Sequence, residues 1–468
     1  MSGERARAGA RPVRRGVDDA AVAFVLAARR VGYADPGDVD RHLGRGIVAF
    51  GRRDYAVVHR LFGALLPAIA SADIDLGQDE MVDEVLKLDL RACRERYLVS
   101  AYMLAEPGGR AEAVRRAIAE TAGVGGLREP IRAMEEVAVE PLPALGEFLV
   151  RWRDLVEAEV AAMGPRAWER EAEAWRREAV GRLEGVDGLG RLARASGSAA
   201  DLRAWCEALV AAGDGPGALR AYEEAARRVG EDDLARAAFW EGAALVAQTI
   251  GAADLSPWLE RAWRARPTPE RLRRWLGAAP VGETRRRRVA AALAACPAWA
   301  ERERALLLLL QGDLVGAARS LGEAPGSGWS QPEHPGELLV PLFTALLGAS
   351  PRPPWGSRPG ADAAGGPSLQ TPAVAALLRD AGMGRVQDGA ARALLLGAMR
   401  QAAERRSEAV TAERHRRRYA DAAALVAAYV ALDGSFEARQ WAGAIRDRYR
   451  RFPAFCAELD RCLRRHRA

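Results

Sequence analysis

The sequence predicts an all-α protein in which helical hairpins stack one on the next. Ala, Leu, Arg and Glu dominate its 468 residues, and β-branched residues seldom alternate with polar ones over the length of a strand. Four stretches also repeat one helix–turn–helix pattern, in which the second helix carries a small residue and then a large apolar one four positions later. Helical pairs that bury one face against the next pair form solenoids, which usually bind partners rather than catalyse reactions.

The clearest copy of the pattern covers residues 202–225. Its first helix leads into the turn Gly213-Asp214-Gly215, after which Ala218 and Tyr222 show the small-then-large spacing. The other copies lie at 46–66, 258–267 and 306–321, the last around the turn Gln311-Gly312-Asp313. We therefore expect successive helical hairpins whose first helices line a groove.

Helical periodicity also runs through the N-terminal part of the chain. Asp18 and Asp19 are suitable N-caps for a first helix, and glycine-rich runs near 107–109 and 123–126 separate later helices. The helices predicted here are 18–31, 38–50, 55–69, 79–88, 92–104, 110–121 and 130–139. Two apolar stripes, beginning at Leu145 and at Trp168, then predict a long antiparallel hairpin.

These patterns divide the chain into six predicted segments. They are a disordered basic tail (1–16), an N-terminal helical domain (17–143), a long helical hairpin (144–198), the repeats (199–349), a Pro/Gly-rich linker (350–371) and a C-terminal helical block (372–468). The tail lacks periodicity, and the linker holds too much Pro, Gly and Ser for a packed helix. In the C-terminal block, Tyr419, Val426 and Tyr429 belong to one predicted buried face.

The net charge of +6 is unevenly distributed, because residues 401–468 hold fifteen arginines and nine acidic residues. The residues that could contact an anion or a nucleic acid are Arg285, Arg286, Arg287, Arg288, Arg414, Arg416, Arg417 and Arg418. Lys87 is the only lysine, so the arginine excess also fits the codon bias of a GC-rich bacterial genome. The alternative interpretation of these clusters is a solvated helical face.

The remaining composition predicts a cytoplasmic protein that does not enter a membrane. The five cysteines are odd in number and scattered, which is typical of reduced thiols rather than a disulfide framework. No apolar run approaches the roughly 18 residues that a membrane span requires. The basic N-terminus is followed by Asp18 and Asp19 instead of an apolar signal core.

No catalytic residue, metal or cofactor is predicted. The G-x-G-x-x-A match at 188–193 lacks a preceding strand, so we interpret it as a helix-entry turn. A P-loop needs a lysine directly after a glycine-rich loop. Lys87, the only lysine, follows no such loop and is predicted to lie within a helix, so the sequence excludes a P-loop. His42 and His59 could meet across the first hairpin, where an ordinary interhelical contact is commoner than a catalytic pair.

Two stretches have spacings typical of metal sites, and each also has a simpler structural interpretation. The acidic run that begins at Asp73 and Asp75 resembles a calcium loop, but it offers Gly77 and Gln78 where an EF-hand has an oxygen ligand and then glycine. Carboxylates that cap a helix start are the simpler interpretation. Cys456, Cys462 and His466 have a spacing suggestive of zinc, although structural zinc normally takes four ligands.

The best copy of the repeat resembles a tetratricopeptide repeat. The resemblance lies in Gly213-Asp214 followed by Ala218, Tyr222 and Ala225, and Cys206 stands where that family has a glycine at the tight contact between helices. The first hairpin fits at Asp54, Tyr55, Phe62 and Leu65, with Val58 in place of the family's alanine. The resemblance implies a degenerate TPR-like α-solenoid that covers about a third of the chain.

A second resemblance concerns residues 74–114 and 414–455. Both stretches are similar to helical regions that accompany bacterial SWIM zinc-finger proteins. The finger itself, Cys-x-Cys followed by Cys-x-His, is absent from this sequence. The resemblance therefore implies only a related helical accessory protein, without the DNA-binding role of the finger.

Together these observations predict a non-enzymatic scaffold or adaptor whose repeats bind a protein or peptide partner. The alternative is a nucleic-acid-associated accessory protein that uses the basic C-terminal block. An enzyme with an unrecognised site is a third possibility. Neither the identity of the partner nor the oligomeric state follows from the sequence.

Overall fold

The structure is a computed structural model, which describes residues 15–77, 85–162, 170–230, 234–348 and 368–465. Within these ranges the chain forms 22 α-helices and no β-strand, which confirms the predicted all-α class. An isolated parallel bridge joins Tyr33 and Asp75. No helix in the described ranges is both long enough and apolar enough to cross a bilayer.

The chain forms two compact units, one up to Ser196 and one from Gly197. The first contains α1 (Arg15–Val31), α2 (Pro36–Gly51), α3 (Tyr55–Ala70), α4 (Leu90–Leu104), α5 (Arg110–Glu120), α6 (Pro130–Val137), α7 (Leu145–Ala162) and α8 (Arg170–Ser196). This unit includes the predicted N-terminal domain and all but the last two residues of the predicted long hairpin.

The second unit contains the predicted repeats and the predicted C-terminal block. Its first helices are α9 (Ala199–Ala211), α10 (Gly215–Arg228), α11 (Ala235–Thr249), α12 (Ser256–Ala265), α13 (Pro269–Gly277), α14 (Glu283–Ala295), α15 (Glu301–Gln311) and α16 (Leu314–Gly322). They are followed by α17 (Gly336–Leu346), α18 (Val374–Asp380), α19 (Gly389–Ala412), α20 (Tyr419–Asp433), α21 (Phe436–Arg448) and α22 (Pro453–Arg465).

Most predicted helices are present with ends shifted by a few residues. Helix α1 begins at Arg15, within the predicted tail, whose residues 1–14 lie outside the described ranges. The helix predicted at 79–88 lies largely outside them as well. The placement of Lys87 in a helix is wrong, since it lies in a bend and its N–H donates to Asp40 Oδ2 at 3.0 Å.

Helix α4 is central to the first unit and packs against α2, α3, α5 and α6. Its Arg94 is 2% exposed and donates to Thr121 Oγ1 and to the carbonyls of Ile118 and Gly125, so neutral acceptors satisfy this buried guanidinium. Helices α7 and α8 join the same core, where Trp152 and Trp175 have ring centroids 5.9 Å apart.

Helix α8 is interrupted at Gly185, where φ is 61°. The stretch 188–193, which matches G-x-G-x-x-A, lies in the helical turns just after this interruption. No strand occurs among the described residues, so this stretch lacks the βαβ surroundings of a dinucleotide-binding motif.

Three hairpins share one turn geometry. Gly213 (φ 75°) and Gly312 (φ 83°) adopt the left-handed conformation that ends α9 and α15, and the aspartate that follows each caps the next helix. Asp214 and Asp313 both accept a hydrogen bond at 2.8 Å from the N–H three residues later. In the α2–α3 hairpin, Arg53 (φ 60°) takes the left-handed position. The turns of three of the four copies named in the sequence thus have a common structure.

Glycines allow neighbouring helices to approach closely. A Cβ atom on Gly46 of α2 would lie 2.4 Å from Cε1 of Phe62 on α3. Likewise, a Cβ on Gly242 of α11 would lie 2.3 Å from Cε1 of Tyr222 on α10. Since real Cβ atoms essentially never approach this closely, each ring occupies the space that a side chain would fill.

In the second unit, each helix from α9 to α16 packs against its successor. Helix α9 also contacts α11, and α13 contacts α15, so first helices of neighbouring pairs touch. Helices α16 and α17 then pack against α19, which leads into the bundle formed with α20 to α22. One hydrophobic core runs from α11 to α22 and includes Trp263, Leu306 and Val426.

The close contact at Gly242 predicts that replacing this helical glycine with alanine destabilises the protein. Gly242→Ala should lower the free energy of unfolding of the second unit by about 1–3 kcal/mol, because the added methyl group overpacks against Tyr222. This loss is expected although alanine stabilises a helix by roughly 1 kcal/mol relative to glycine. Gly443→Ala is the matched control, since Gly443 is exposed within α21 with no atom within 4 Å of the added Cβ.

Urea unfolding followed by circular dichroism measures both effects. We expect the midpoint to fall for Gly242→Ala and to rise slightly for Gly443→Ala. A rise of equal size in both variants would show that Tyr222 does not restrict the helix contact.

Candidate functional site

The arginines at 285–288 begin helix α14 and differ in their surroundings. Arg285 is largely buried and donates to Asp380 and to the carbonyl of Ala279. Arg288 donates to the carbonyl of Trp275 at 2.7 Å, and Arg287 pairs with Glu283. Only Arg286 and Arg287 are exposed. Two of these four predicted anion contacts therefore serve the packing of α13, α14 and α18.

The second arginine cluster is exposed throughout. Arg414, Arg416, Arg417 and Arg418 lie in the short connection between α19 and α20, and all four face solvent. Arg418 approaches Asp421 at 3.4 Å. Among the described residues, no carboxylate is within ion-pair distance of the other three, so this loop is a compact positive surface.

A segment that begins with the last residues of the predicted linker lies across α11 and α13. Residues 368–373 have no regular secondary structure and lead into α18. Gln248 Nε2 at the end of α11 donates to Ser368 O at 3.3 Å, and Arg273 Nη1 on α13 donates to Pro372 O at 3.3 Å. Arg274 Nε donates to Thr371 Oγ1 at 2.7 Å. We call residues 368–380 the docked segment.

The docked segment fits closely against the C-terminal end of α13. A Cβ atom on Gly277 would lie 2.3 Å from Cγ of Pro372, so the proline ring requires a glycine here. Beyond the proline, Leu377 and Leu378 on α18 are buried in the core of the second unit. Helix α18 contacts α13 and α15, and its last residue is Asp380, the partner of Arg285.

An ion-pair network fixes the arginines beneath the docked segment. Glu241 on α11 accepts from Arg271 at 2.8 Å and from Arg274 at 2.6 Å, and all three side chains are no more than about a quarter exposed. Arg274 thus binds Glu241 with one nitrogen and Thr371 with another. Because Arg274 is anchored at Glu241, little side-chain entropy is lost when it holds the segment.

Three of the five histidines, His42, His59 and His334, pack against aromatic rings or backbone groups. His42 stacks on Phe24, while His59 stacks on Tyr97, so the two rings have separate environments. Buried His334 accepts from Gly336 N–H at Nδ1, and its Nε2 lies 2.9 Å from Pro325 O. Burial lowers the pKa of all three, and neutral imidazole is the form that suits the contacts of His334.

The thiols and acidic runs considered as metal ligands have other contacts. Cys456 Sγ lies near the carbonyls of Arg446 and Tyr449, and His466 is outside the described residues. Asp73 pairs with Arg29 at 3.0 Å, and Asp75 Oδ1 accepts from Gly77 N–H, whereas Gln78, Asp79 and Glu84 are not described. The described part of the chain contains no group of three His, Cys, Asp or Glu side chains that could hold a metal.

Burial also makes the core thiols poor nucleophiles. The pKa of Cys93 and that of Cys206 are each raised to about 12, so both remain protonated at neutral pH. Cys206, which takes the place of the repeat family's glycine, is fully buried on α9. Its position is that of a packing residue.

No protein-family model, curated protein or solved structure matches the chain. Functional inference therefore depends on the residues and their geometry. Of the candidate surfaces, the docked segment is one that sequence reasoning missed, since residues 368–371 were predicted as the end of a linker. The sequence signal that could have shown it is the leucine pair Leu377 and Leu378 directly after a proline-rich stretch.

The contact between Gly277 and Pro372 can be tested by hydrogen exchange. Gly277→Ala should displace the docked segment, because the added Cβ meets a rigid ring rather than a flexible chain end. We expect amide exchange in residues 374–380 to accelerate by about tenfold or more, with exchange in α9 to α12 unchanged. Gly397→Ala, where the added Cβ meets no atom within 4 Å, should leave the segment protected. Equal protection in both variants would contradict tight docking.

Proposed function

We propose that the chain is a non-enzymatic scaffold or adaptor that binds a protein or peptide partner on a TPR-like face of α9 to α16. The observation that carries this proposal is the docked segment, which lies as a peptide would across α11 and α13. Two of its hydrogen bonds come from Gln248 and Arg273 to main-chain carbonyls, which every polypeptide possesses. These two hydrogen bonds do not depend on the side chains of the bound polypeptide.

The arrangement of the helices supports a repeat interpretation. The turns at Gly213 and Gly312 have equivalent caps, consecutive helices pack in order, and neighbouring first helices touch. The ring of Tyr222 on α10 fills the space beside Gly242 on α11, the first helix of the next hairpin. This is the contact that the small-then-large spacing predicts. These features favour stacked hairpins over a bundle around a single closed cavity.

The docked segment also indicates which peptides would fit. Its extended part presents main-chain carbonyls, and its helical part inserts the leucine pair into the core. A partner would therefore combine an extended stretch with a short helix that carries two consecutive large apolar residues. The buried leucines supply most of the affinity, because apolar burial outweighs solvent-exposed hydrogen bonds.

A peptide supplied in trans tests this proposal. The change is Leu377→Ser with Leu378→Ser in the full chain, which should release the docked segment by removing two buried side chains. A synthetic peptide of residues 368–381 should then bind the variant and raise its thermal unfolding midpoint, as measured by calorimetry. The wild-type chain, whose face is covered, should bind the peptide much more weakly.

The matched control is the same peptide with both leucines replaced by serine, which should bind neither chain. A variant that retains its helical circular dichroism but does not bind the wild-type peptide would disprove the proposal. If the double variant does not fold, the single change Leu377→Ala provides a milder release of the segment.

A second candidate function is binding to a nucleic-acid backbone through the loop at 414–418. The observation that favours it is the exposure of four arginines, three of which have no carboxylate neighbour among the described residues. Free guanidinium groups on one short loop can neutralise successive phosphates. This function would use a different surface from the peptide-binding face.

Salt-dependent binding tests the second candidate. Arg416→Glu, Arg417→Glu and Arg418→Glu together should weaken binding to single-stranded RNA and reduce the slope of log K against log salt by about 0.7 per lost phosphate contact. Reversing Arg128, Arg203 and Arg220, which are exposed elsewhere, changes the net charge equally and serves as the control. Equal losses in both triple variants would indicate non-specific attraction and contradict a site at the loop.

A further inference from the structure

Thr371 makes a side-chain hydrogen bond between the extended part of the docked segment and the repeat helices. Arg274 Nε on α13 donates to Thr371 Oγ1 at 2.7 Å. In the described part of the chain, no other side chain of residues 368–373 has a hydrogen bond to these helices, and Ser368 and Gln370 are exposed. Because the other two hydrogen bonds go to main-chain carbonyls, Thr371 is the position at which polar contacts can distinguish one peptide from another.

A guanidinium binds a carboxylate well along the edge where the N–H of Nε and an N–H of Nη2 point in the same direction. Within this protein, Arg115 on α5 holds Glu159 on α7 with these two nitrogens. At Arg274 the hydroxyl oxygen engages Nε alone, while Nη1 donates to Glu241. Among the residues that the structure describes, Nη2 has no hydrogen-bond partner. This edge is therefore half used, and the two oxygens of a carboxylate could fill it.

The charge around this edge is positive. Arg271 and Arg274 share Glu241, and Arg273 lies between them in the sequence of α13. Within the described ranges, Glu241 is the only carboxylate at ion-pair distance from these three guanidinium groups. One negative charge thus accompanies three positive charges, and the excess favours an anionic group on a bound peptide.

Arg273 is the guanidinium that lacks a carboxylate. Its Nε donates to Pro269 O and its Nη1 to Pro372 O, each at 3.3 Å. Burial lowers the pKa of Arg273, and the more distant charge of Glu270 offsets only part of that effect. Because Pro372 directly follows Thr371, this partly buried cation lies beside the same position of the segment. A cation held by neutral acceptors at reduced dielectric gains from a nearby negative charge.

We propose that the peptide partner of this face carries an acidic residue, aspartate or glutamate, at the position that Thr371 occupies. Its carboxylate binds the Nε–Nη2 edge of Arg274, and Arg273 adds a second positive charge. The side chain of Arg274 is 23% exposed and Thr371 is half-buried, so the contact is open enough for a longer side chain.

This preference rests on the proposed function, because it assumes that a partner takes the place of the docked segment. It adds the chemistry of one position in that partner. A hydrogen bond to an ionised acceptor is stronger than one to a hydroxyl. An acidic partner therefore has an advantage over the chain's own segment at this position.

Substitutions within the chain test the preference without a partner. Thr371→Glu should slow amide exchange in residues 374–380 by about two- to fivefold relative to Thr371→Gln, which has the same shape without the charge. Arg274→Gln should abolish that difference, and it should leave the chain folded because Glu241 keeps Arg271 as a partner. Since Thr371→Glu places the same charge before α18 with and without Arg274, the comparison separates this contact from an effect of the helix dipole.

Peptides of residues 368–381 extend the test to a ligand in trans. The receptor is the chain with Leu377→Ser and Leu378→Ser, or with Leu377→Ala as the milder alternative. In calorimetric titration, the peptide with Thr371→Glu should bind about two- to fivefold more tightly than the peptide with Thr371→Gln. This advantage should shrink as salt is raised from about 50 to 500 mM, and it should disappear in a receptor that also carries Arg274→Gln.

The outcomes separate this preference from the proposed function. Equal affinity of the two peptides, or an advantage that persists with Arg274→Gln, would overturn the acidic preference and leave peptide binding intact. Equal exchange rates for Thr371→Glu and Thr371→Gln would overturn it even if both peptides bind. Failure of every peptide to bind would instead contradict the proposed function, and the partner preference with it.

Discussion

The structure depends on contacts in which one element lacks a side chain so that another can fill the space. Gly46 receives the ring of Phe62, Gly242 receives that of Tyr222, and Gly277 receives Pro372. The first two contacts join neighbouring helices, and the third joins the docked segment to α13. The same packing device therefore assembles the hairpins and attaches a segment to them. A methyl group at any of these positions would push apart surfaces that the core requires to be in contact.

Arginine has two roles in this chain, which its neighbours determine. Arg94, Arg271, Arg274 and Arg288 have shielded guanidinium groups that donate to carbonyls, hydroxyls or carboxylates and connect elements distant in sequence. The arginines of the loop at 414–418 remain in solvent. Because a guanidinium carries five donors, it can bridge several elements at once, and composition alone cannot distinguish such a bridge from a binding group.

The sequence was sufficient to predict what local patterns determine. Apolar periodicity gave the helices, and the Gly-Asp pairs at 213–214 and 312–313 gave turns that the structure confirms. The docked segment could not be predicted, because it depends on which distant residues meet. Thr371 is about a hundred positions from Arg274. The buried state of Arg285 likewise depends on Asp380, far along the chain.

The docked segment and the helices that it covers belong to one chain, so a peptide in solution would have to compete with a tethered ligand. A ligand tethered to its own site acts at an effective concentration that the length and stiffness of the connection determine. A free peptide with the same contacts would therefore need a comparable concentration to occupy the face. Under the proposed function, the covered face would thus exclude weak encounters and admit only partners that bind considerably more tightly than the chain's own peptide.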